Sequence, residues 1–349
     1  MEKQEPAMKV GYVVPMSVAT VNGGVRTQAS FTIQHIKEFG VEPVLLSPWE
    51  EIKPVSLDLV HVFGASVENS EIIPKIQDLN IPVVLSPVFY SNRKASTIRN
   101  FIHLEKFLFR FGSGIRSDFS IKASLCNRVN LLLPNTSEEA NLIMEGFEVP
   151  KPKIEIVPNG VEKRFSEATK DAFVKEYGIE DFVLFTGQAS APRKNVIQLL
   201  RVAPDLDVPV VIIGSFGKDA YSKECLSLAK KATNVTLIPT LDHHAEMLAS
   251  AYAASKVFVL PSQYETPGIA ALEAALTGSQ IVITERGGTK DYFDDYAEYI
   301  NPESSESLLK GIQNALSKPA SDLKEMILYK FTWDKVAQKT ATQYQRLLK

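Results

Sequence analysis

Two carboxylates, Glu265 and Glu273, bracket a helix start in the stretch 261–274, Pro-Ser-Gln-Tyr-Glu-Thr-Pro-Gly-Ile-Ala-Ala-Leu-Glu-Ala. The stretch follows the apolar run 256–260, which reads as a strand, and the helix is expected to begin near Gly268. The unbonded N–H groups and dipole of such a start attract anions. Pro267 has no N–H, so Gly268, Ile269 and Ala270 are the expected donors. One carboxylate can hold sugar hydroxyls and the other a ribose. The competing reading makes Glu265 a helix-start charge and Glu273 a solvated surface residue. Leu272, Ala274 and Ala275 around Glu273 weaken it, being too apolar for an exposed face.

A second cluster, Thr186-Gly187-Gln188-Ala189-Ser190-Ala191-Pro192-Arg193-Lys194-Asn195, follows another apolar run at 182–186. Loss of a nucleoside diphosphate leaves negative charge on the departing oxygens, and fixed cations stabilise it without a metal. Arg193 suits that as a fork and Lys194 as a point charge. A solvated basic pair is the alternative, but the dipole disfavours cations at a helix start. Gly23 and Gly24, between a strand and a helix, let a backbone approach a ligand closely or simply make a tight turn. His35 and His61 read as structural, His103 as packed in a core or interface, and His243 and His244 as a cap and a surface residue. Asp205-Leu206-Asp207 reads as a polar loop. No His, Cys or Asp cluster has metal-ligand spacing, so neither metal nor cofactor is expected.

The stretch 93–122 carries seven basic residues (Arg93, Lys94, Arg99, Lys106, Arg110, Arg116, Lys122) against two acidic ones, with Phe101, Phe107, Phe109 and Phe111 interleaved. Apolar residues at 98, 101, 102, 104, 108 and 111 fit one buried helix face, the favoured reading. The alternative is peripheral contact with an anionic membrane.

These residues need elements to hold them. Short apolar runs at 9–15, 43–46, 58–63, 82–85, 130–133 and 154–157 alternate with segments of helical period at 24–39, 68–79 and 137–145. The pattern repeats, with strands expected at 182–186, 208–213, 235–238, 256–260, 280–283 and 298–300. Helices are expected at 194–202, 218–231, 243–254, 268–277 and 304–316. Two such arrays predict an α/β chain of two doubly wound Rossmann-like domains facing a cleft, 1–162 and 163–330, joined near the polar stretch 162–180. A length of 349 residues is more than one core usually supports. Hydrophobic residues make up 45% and charged residues 23%, which excludes a disordered or fibrous chain. With 38 basic and 41 acidic residues there is no global attraction to nucleic acid. Two distant cysteines, a polar N-terminal segment 1–7 and no long apolar run lead to a cytoplasmic expectation.

Glu265 and Glu273 form a Glu-x7-Glu motif, and here the chain resembles the family-4 retaining glycosyltransferases of GT-B fold. The Gly23-Gly24 loop, the segment Val157-Pro158-Asn159-Gly160-Val161, the approach through Pro261-Ser262 and the stretch Phe331-Thr332-Trp333 are similar to other marks of that family. The resemblance implies a nucleotide-sugar donor, UDP- or GDP-linked, and a glycan, glycolipid or small-molecule acceptor. It implies that Glu265 contacts the transferred sugar and Glu273 the ribose, while amides at 268–270 meet sugar and diphosphate oxygens. It places helix 331–349 back on the first domain. Lys194 matches the family lysine, but Gln188 stands where many members have arginine, so Arg193 is expected to supply that charge. A family histidine after the fourth strand is also missing from 85–90. Those departures keep two alternatives open: a sugar-nucleotide-binding subunit of impaired activity, and an epimerase of the same fold.

Overall fold

The computed structural model describes residues 7–20, 23–47, 49, 51, 56–110, 112 and 116–349. Residues 1–6 and Phe111, on which two of the readings above partly rest, lie outside them. The chain divides into two compact units, one running to Gly160 and taking up Trp333–Lys349, the other spanning Val161–Thr332.

The first unit is built from β1 (Met8–Val13), α1 (Gly24–His35), β2 (Val41–Leu45), β3 (Leu59–Phe63), α2 (Ile72–Asp78), β4 (Val83–Ser86), α3 (Ala95–Phe109), α4 (Asp118–Arg128), β5 (Leu131–Leu132) and α5 (Ser137–Asn141). Its sheet runs β2-β1-β3-β4-β5, and every pairing is parallel. β3 and β4 are buried along their whole length, as apolar runs without alternation require when both faces are covered. The run 154–157 is not a strand, because Ile154 makes only an isolated bridge to Leu132.

α5 is capped by Thr136, and Glu139 reaches back to Asn135, the residue before that cap. The Thr136 hydroxyl accepts from the Glu139 N–H, while the Glu139 carboxylate accepts from the N–H groups of Asn135 and Phe89, each at 2.7 Å. Glu139 is fully buried, and burial pushes its carboxyl up to about 7 against those hydrogen bonds.

The second unit follows with α6 (Asp171–Tyr177), β6 (Phe182–Thr186), α7 (Val196–Val202), β7 (Val210–Ile213), α8 (Ala220–Lys231), β8 (Val235–Ile238), α9 (Glu246–Ala254), β9 (Ser255–Leu260), α10 (Ile269–Thr277), β10 (Gln280–Thr284), α11 (Lys290–Phe293), β11 (Glu298–Ile300), α12 (Ser305–Ser317) and α13 (Leu323–Lys330). Its sheet order is β11-β10-β9-β6-β7-β8, again parallel throughout. Strand order reverses from β6, with β7 on one side and β9 on the other. The loops after β6 and β9 therefore lie at the switch point where open α/β sheets bind ligands. The polar stretch 162–180 is not a linker, since Phe165 and Phe173 are fully buried in this unit's core.

The chain then returns to the first unit as α14 (Trp333–Leu348). Trp333, Val336, Ala337, Ala341 and Tyr344 join Val10, Phe63 and Val84 in one cluster. The Tyr344 hydroxyl lies 2.5 Å from Nδ1 of His61, whose Nε2 is 2.9 Å from the Ser86 hydroxyl. Burial drives His61 down to about 3, so it is a neutral structural residue, as expected.

Two readings of 93–122 are corrected. His103 is exposed on α3 and pairs with Glu148 at 2.7 Å, so it is not a core residue. Of the apolar positions assigned to one buried face, Ile98 and Ile102 are buried, while Phe101, Leu104 and Leu108 are exposed.

Candidate active site in the second unit

Glu265 lies in the loop between β9 and α10 and is only 5% exposed. Its Oε1 accepts from the Lys194 ammonium at 2.6 Å and the Ser262 hydroxyl at 2.6 Å, with an Arg193 guanidinium nitrogen at 3.5 Å. Burial alone would raise this carboxyl. The charges of Lys194 and Arg193, with the hydrogen bonds from Lys194 and Ser262, outweigh it and hold the group below the usual carboxylate range.

The two loops are tied together by backbone. The Gln263 N–H donates to the Arg193 carbonyl at 2.8 Å, and Arg193 donates to the Tyr264 carbonyl at 3.0 Å with its guanidinium over the Tyr264 ring. Asn195, in the left-handed region, donates to the carbonyls of Pro261 and Pro302. The Glu265 N–H donates to the Arg286 carbonyl at 3.0 Å. A Cβ on Gly287 would stand 2.2 Å from the Glu265 carbonyl oxygen, so only glycine permits that approach.

Gly268 is the N-cap of α10 with φ 81°, and the helix proper begins at Ile269. The first N–H groups of any helix lack intrahelical acceptors, and those of the Gly268–Ala270 turn lie at the start of α10, close in sequence to Glu265.

Glu273 lies inside α10 and is 4% exposed, so it is not a solvated surface charge. One oxygen faces Nε2 of His243 at 2.8 Å, and the other accepts from the Tyr252 hydroxyl at 2.8 Å. Because Tyr252 donates there, the Thr186 hydroxyl, 2.7 Å away, donates to Tyr252. The hydrogen bond to Glu273 raises the His243 pKa. His243 is thus neither a cap nor a plain surface residue, and the N-cap of α9 is Ala245. Its Nδ1 lies 3.6 Å from Glu162, which also receives Arg164 at 3.3 Å.

Glu162, His243 and His244 form a group that could hold a metal ion, a grouping that sequence spacing hides. The Arg164 guanidinium on Glu162 and the Glu273 carboxylate on His243 already satisfy two of the three.

The structure thus gathers Lys194, Arg193 and Glu265, and puts Gly268, Ile269, Ala270 and Glu273 on the turn and helix that follow. Gln188 is exposed in the loop after β6. Gly23 and Gly24 belong to the first unit at the start of α1, where a Cβ on either would meet nothing within 4 Å. His243, Tyr252, Ser262 and Glu162 are additions that sequence alone does not single out.

Residues 167–331 match the family described as glycosyl transferases group 1. That match lies within the second unit. An uncharacterized glycosyltransferase of Methanocaldococcus jannaschii is 26% identical over 220 residues, 57% of this chain and 55% of the relative. A D-inositol 3-phosphate glycosyltransferase of Pseudarthrobacter chlorophenolicus is 29% identical over 45% of this chain and 40% of its own. The chain therefore spans about half the length of the curated relatives it matches. Among solved structures, sucrose-phosphate synthase from Thermosynechococcus elongatus superposes with a TM-score of 0.75 at 14% identity, covering 97% of this chain and 99% of that one. Anabaena HepE, solved with UDP and glucose, gives 0.69 at 14% identity over 97% and 99%. The two Rossmann-like units of this chain have the GT-B fold of those neighbours. Among the described residues no helix is long and apolar enough to cross a membrane.

Proposed function

We propose that the protein is a retaining glycosyltransferase that moves a sugar from a UDP- or GDP-sugar to a glycan, glycolipid or small-molecule acceptor. The observation that carries this reading is Glu265, buried at the mouth of α10 and held by Lys194, Arg193 and Ser262. Before a donor arrives, Glu265 balances two cations that would otherwise repel each other in a partly buried site. When the diphosphate binds, the same cations have a second anion to share. As the sugar–phosphate bond breaks, negative charge grows on the leaving oxygen and positive charge on the sugar. Lys194 and Arg193 stabilise the first and Glu265 the second, all preorganised.

A carboxylate with a depressed pKa and three donors on it is a poor nucleophile, so Glu265 serves as an electrostatic partner rather than a covalent one. That favours displacement on the face the leaving group departs from, and hence retention. Glu273, fixed by His243 and Tyr252, is proposed to hold the ribose. The cations are side chains, so transfer is proposed to need no metal.

The deciding experiment incubates the purified chain with UDP- and GDP-sugars and follows the anomeric signals by NMR. Release of the nucleoside diphosphate with retained configuration, surviving EDTA, is the expected result. Inverted product would sink the mechanism. Tight donor binding with no turnover would instead favour the impaired binding subunit, for which Gln188 at the family arginine position is the motive. An epimerised donor would indicate the other alternative.

A further inference from the structure

We propose that the outer face of α3 docks the protein on an anionic lipid bilayer. Among the described residues twelve large apolar side chains are strongly exposed, and four of them sit on this one helix: Phe101 46%, Leu104 55%, Phe107 54% and Leu108 47%. At about 100° per residue these four fall within a sector of roughly 120°, on the side turned away from buried Ile98 and Ile102. Arg99, Lys106 and Arg110 fall together in the adjoining sector, between the apolar face and the buried edge. The helix thus has three strips: one in the core of the first unit, one basic, and one apolar and open to solvent.

The nearby acids offset the basic strip only in part: Glu148 acts on Lys106 and Arg99, but over 93–122 basic residues outnumber acidic ones seven to two. Glu105 is bonded to Ser117, Asp118 to Lys122 and Glu148 to His103. An apolar strip beside a cationic one suits the boundary between acyl chains and anionic headgroups. There the aromatic and leucine side chains leave water while the long basic side chains stay at headgroup level. A second copy of the chain fits less well, since a two-fold pairing on this face brings the same basic strip against itself. This inference does not rest on the proposed reaction, whose residues lie in the second unit.

The test is co-sedimentation of the full chain with vesicles of phosphatidylcholine alone and of phosphatidylcholine mixed with phosphatidylglycerol. Two variants are compared, F101S/L104S/F107S/L108S and R99Q/K106Q/R110Q. All seven side chains lie outside the fully buried core, so unchanged circular dichroism and melting temperature are expected of both. The unaltered protein should bind the mixed vesicles at least about tenfold more tightly than the neutral ones, and added salt should weaken the binding. Each variant should weaken it by about tenfold or more. Failure of the unaltered protein to pellet with mixed vesicles, or undiminished binding by the serine variant, would overturn the proposal. So would a concentration-dependent dimer in sedimentation velocity that the serine variant abolishes, which would assign the face to a second copy. Donor turnover by both variants is measured in solution without vesicles, so loss of docking and loss of the reaction are read separately.

Discussion

Glu265 and Glu273 share a helix start but not an environment, and the difference sets what each should do when neutralised. Glu265 faces two cations and a hydroxyl. Its charge is worth most when the sugar turns positive, so Glu265→Gln should lower kcat by about a hundredfold with little change in donor KM. Glu273 faces His243 and Tyr252, and the ribose contact proposed for it would be made in ground and transition states alike. Glu273→Gln should mainly raise donor KM. Steady-state kinetics on both variants with one donor decides, and a reversed pattern would mean that the roles are exchanged. Lys194→Ala should cost about 10²–10³-fold in turnover, and unchanged kcat at saturating donor would remove Lys194 from the reaction. Glu265, Lys194 and Arg193 are legible in sequence because each sits directly after an apolar run and before or at a helix start. His243 and Tyr252 are not, because only the fold carries them to Glu273, and only the fold brings Glu162 to His243.

At the scale of elements, α5 and α3 show what periodicity conveys and what it withholds. The parallel strands read as apolar runs because both sheet faces are covered, and β6 and β11 fall where they were expected. Helical period says that a helix has faces, not which of them is covered, and so the apolar face of α3 was assigned to the core when it is open. The sequence does not set Glu139 apart from other acids near a helix start, and only the fold buries it beneath backbone N–H groups, those of Phe89 and Asn135 among them. Its folded pKa, about 7, lies above the ordinary value of 4.5. The folded state therefore keeps the proton that the unfolded chain gives up, and this group's contribution to stability falls as pH rises from 4.5 through 7. Compared with Glu139→Gln, the unaltered protein should lose on the order of 3 kcal/mol across that window. Urea titrations of both proteins at the two ends measure it, and a constant difference between them would contradict a proton held on Glu139. In the loop after β10, Gly287→Ala should displace the Glu265 backbone, lowering turnover at least about tenfold while far-UV circular dichroism stays unchanged. Full activity in that variant would show that the close approach is dispensable.

On the scale of the whole molecule, the second unit has its own core, and the clusters of the first unit share no residue with it. Calorimetry should resolve two transitions, and UDP or GDP at about a hundred times its Kd should raise only the second unit's, by roughly 5–10 °C. Equal shifts of both transitions would contradict a nucleotide held by one unit.

The path of the chain has a further consequence. Val161 bridges Thr332, its N–H donating to the Phe331 carbonyl at 2.8 Å, so the second unit begins and ends at adjacent points. A Cβ on Gly160 would meet Trp333 at 2.7 Å, which shows how closely the two severed ends of the first unit meet as well. The second unit is therefore an insertion within the first. During synthesis all of Val161–Thr332 leaves the ribosome before α14 does, and until then Trp333 and Tyr344 are missing from their cluster and His61 lacks one of its two partners. The second unit can close on itself while the earlier one waits, so the domain that is translated first is the one finished last.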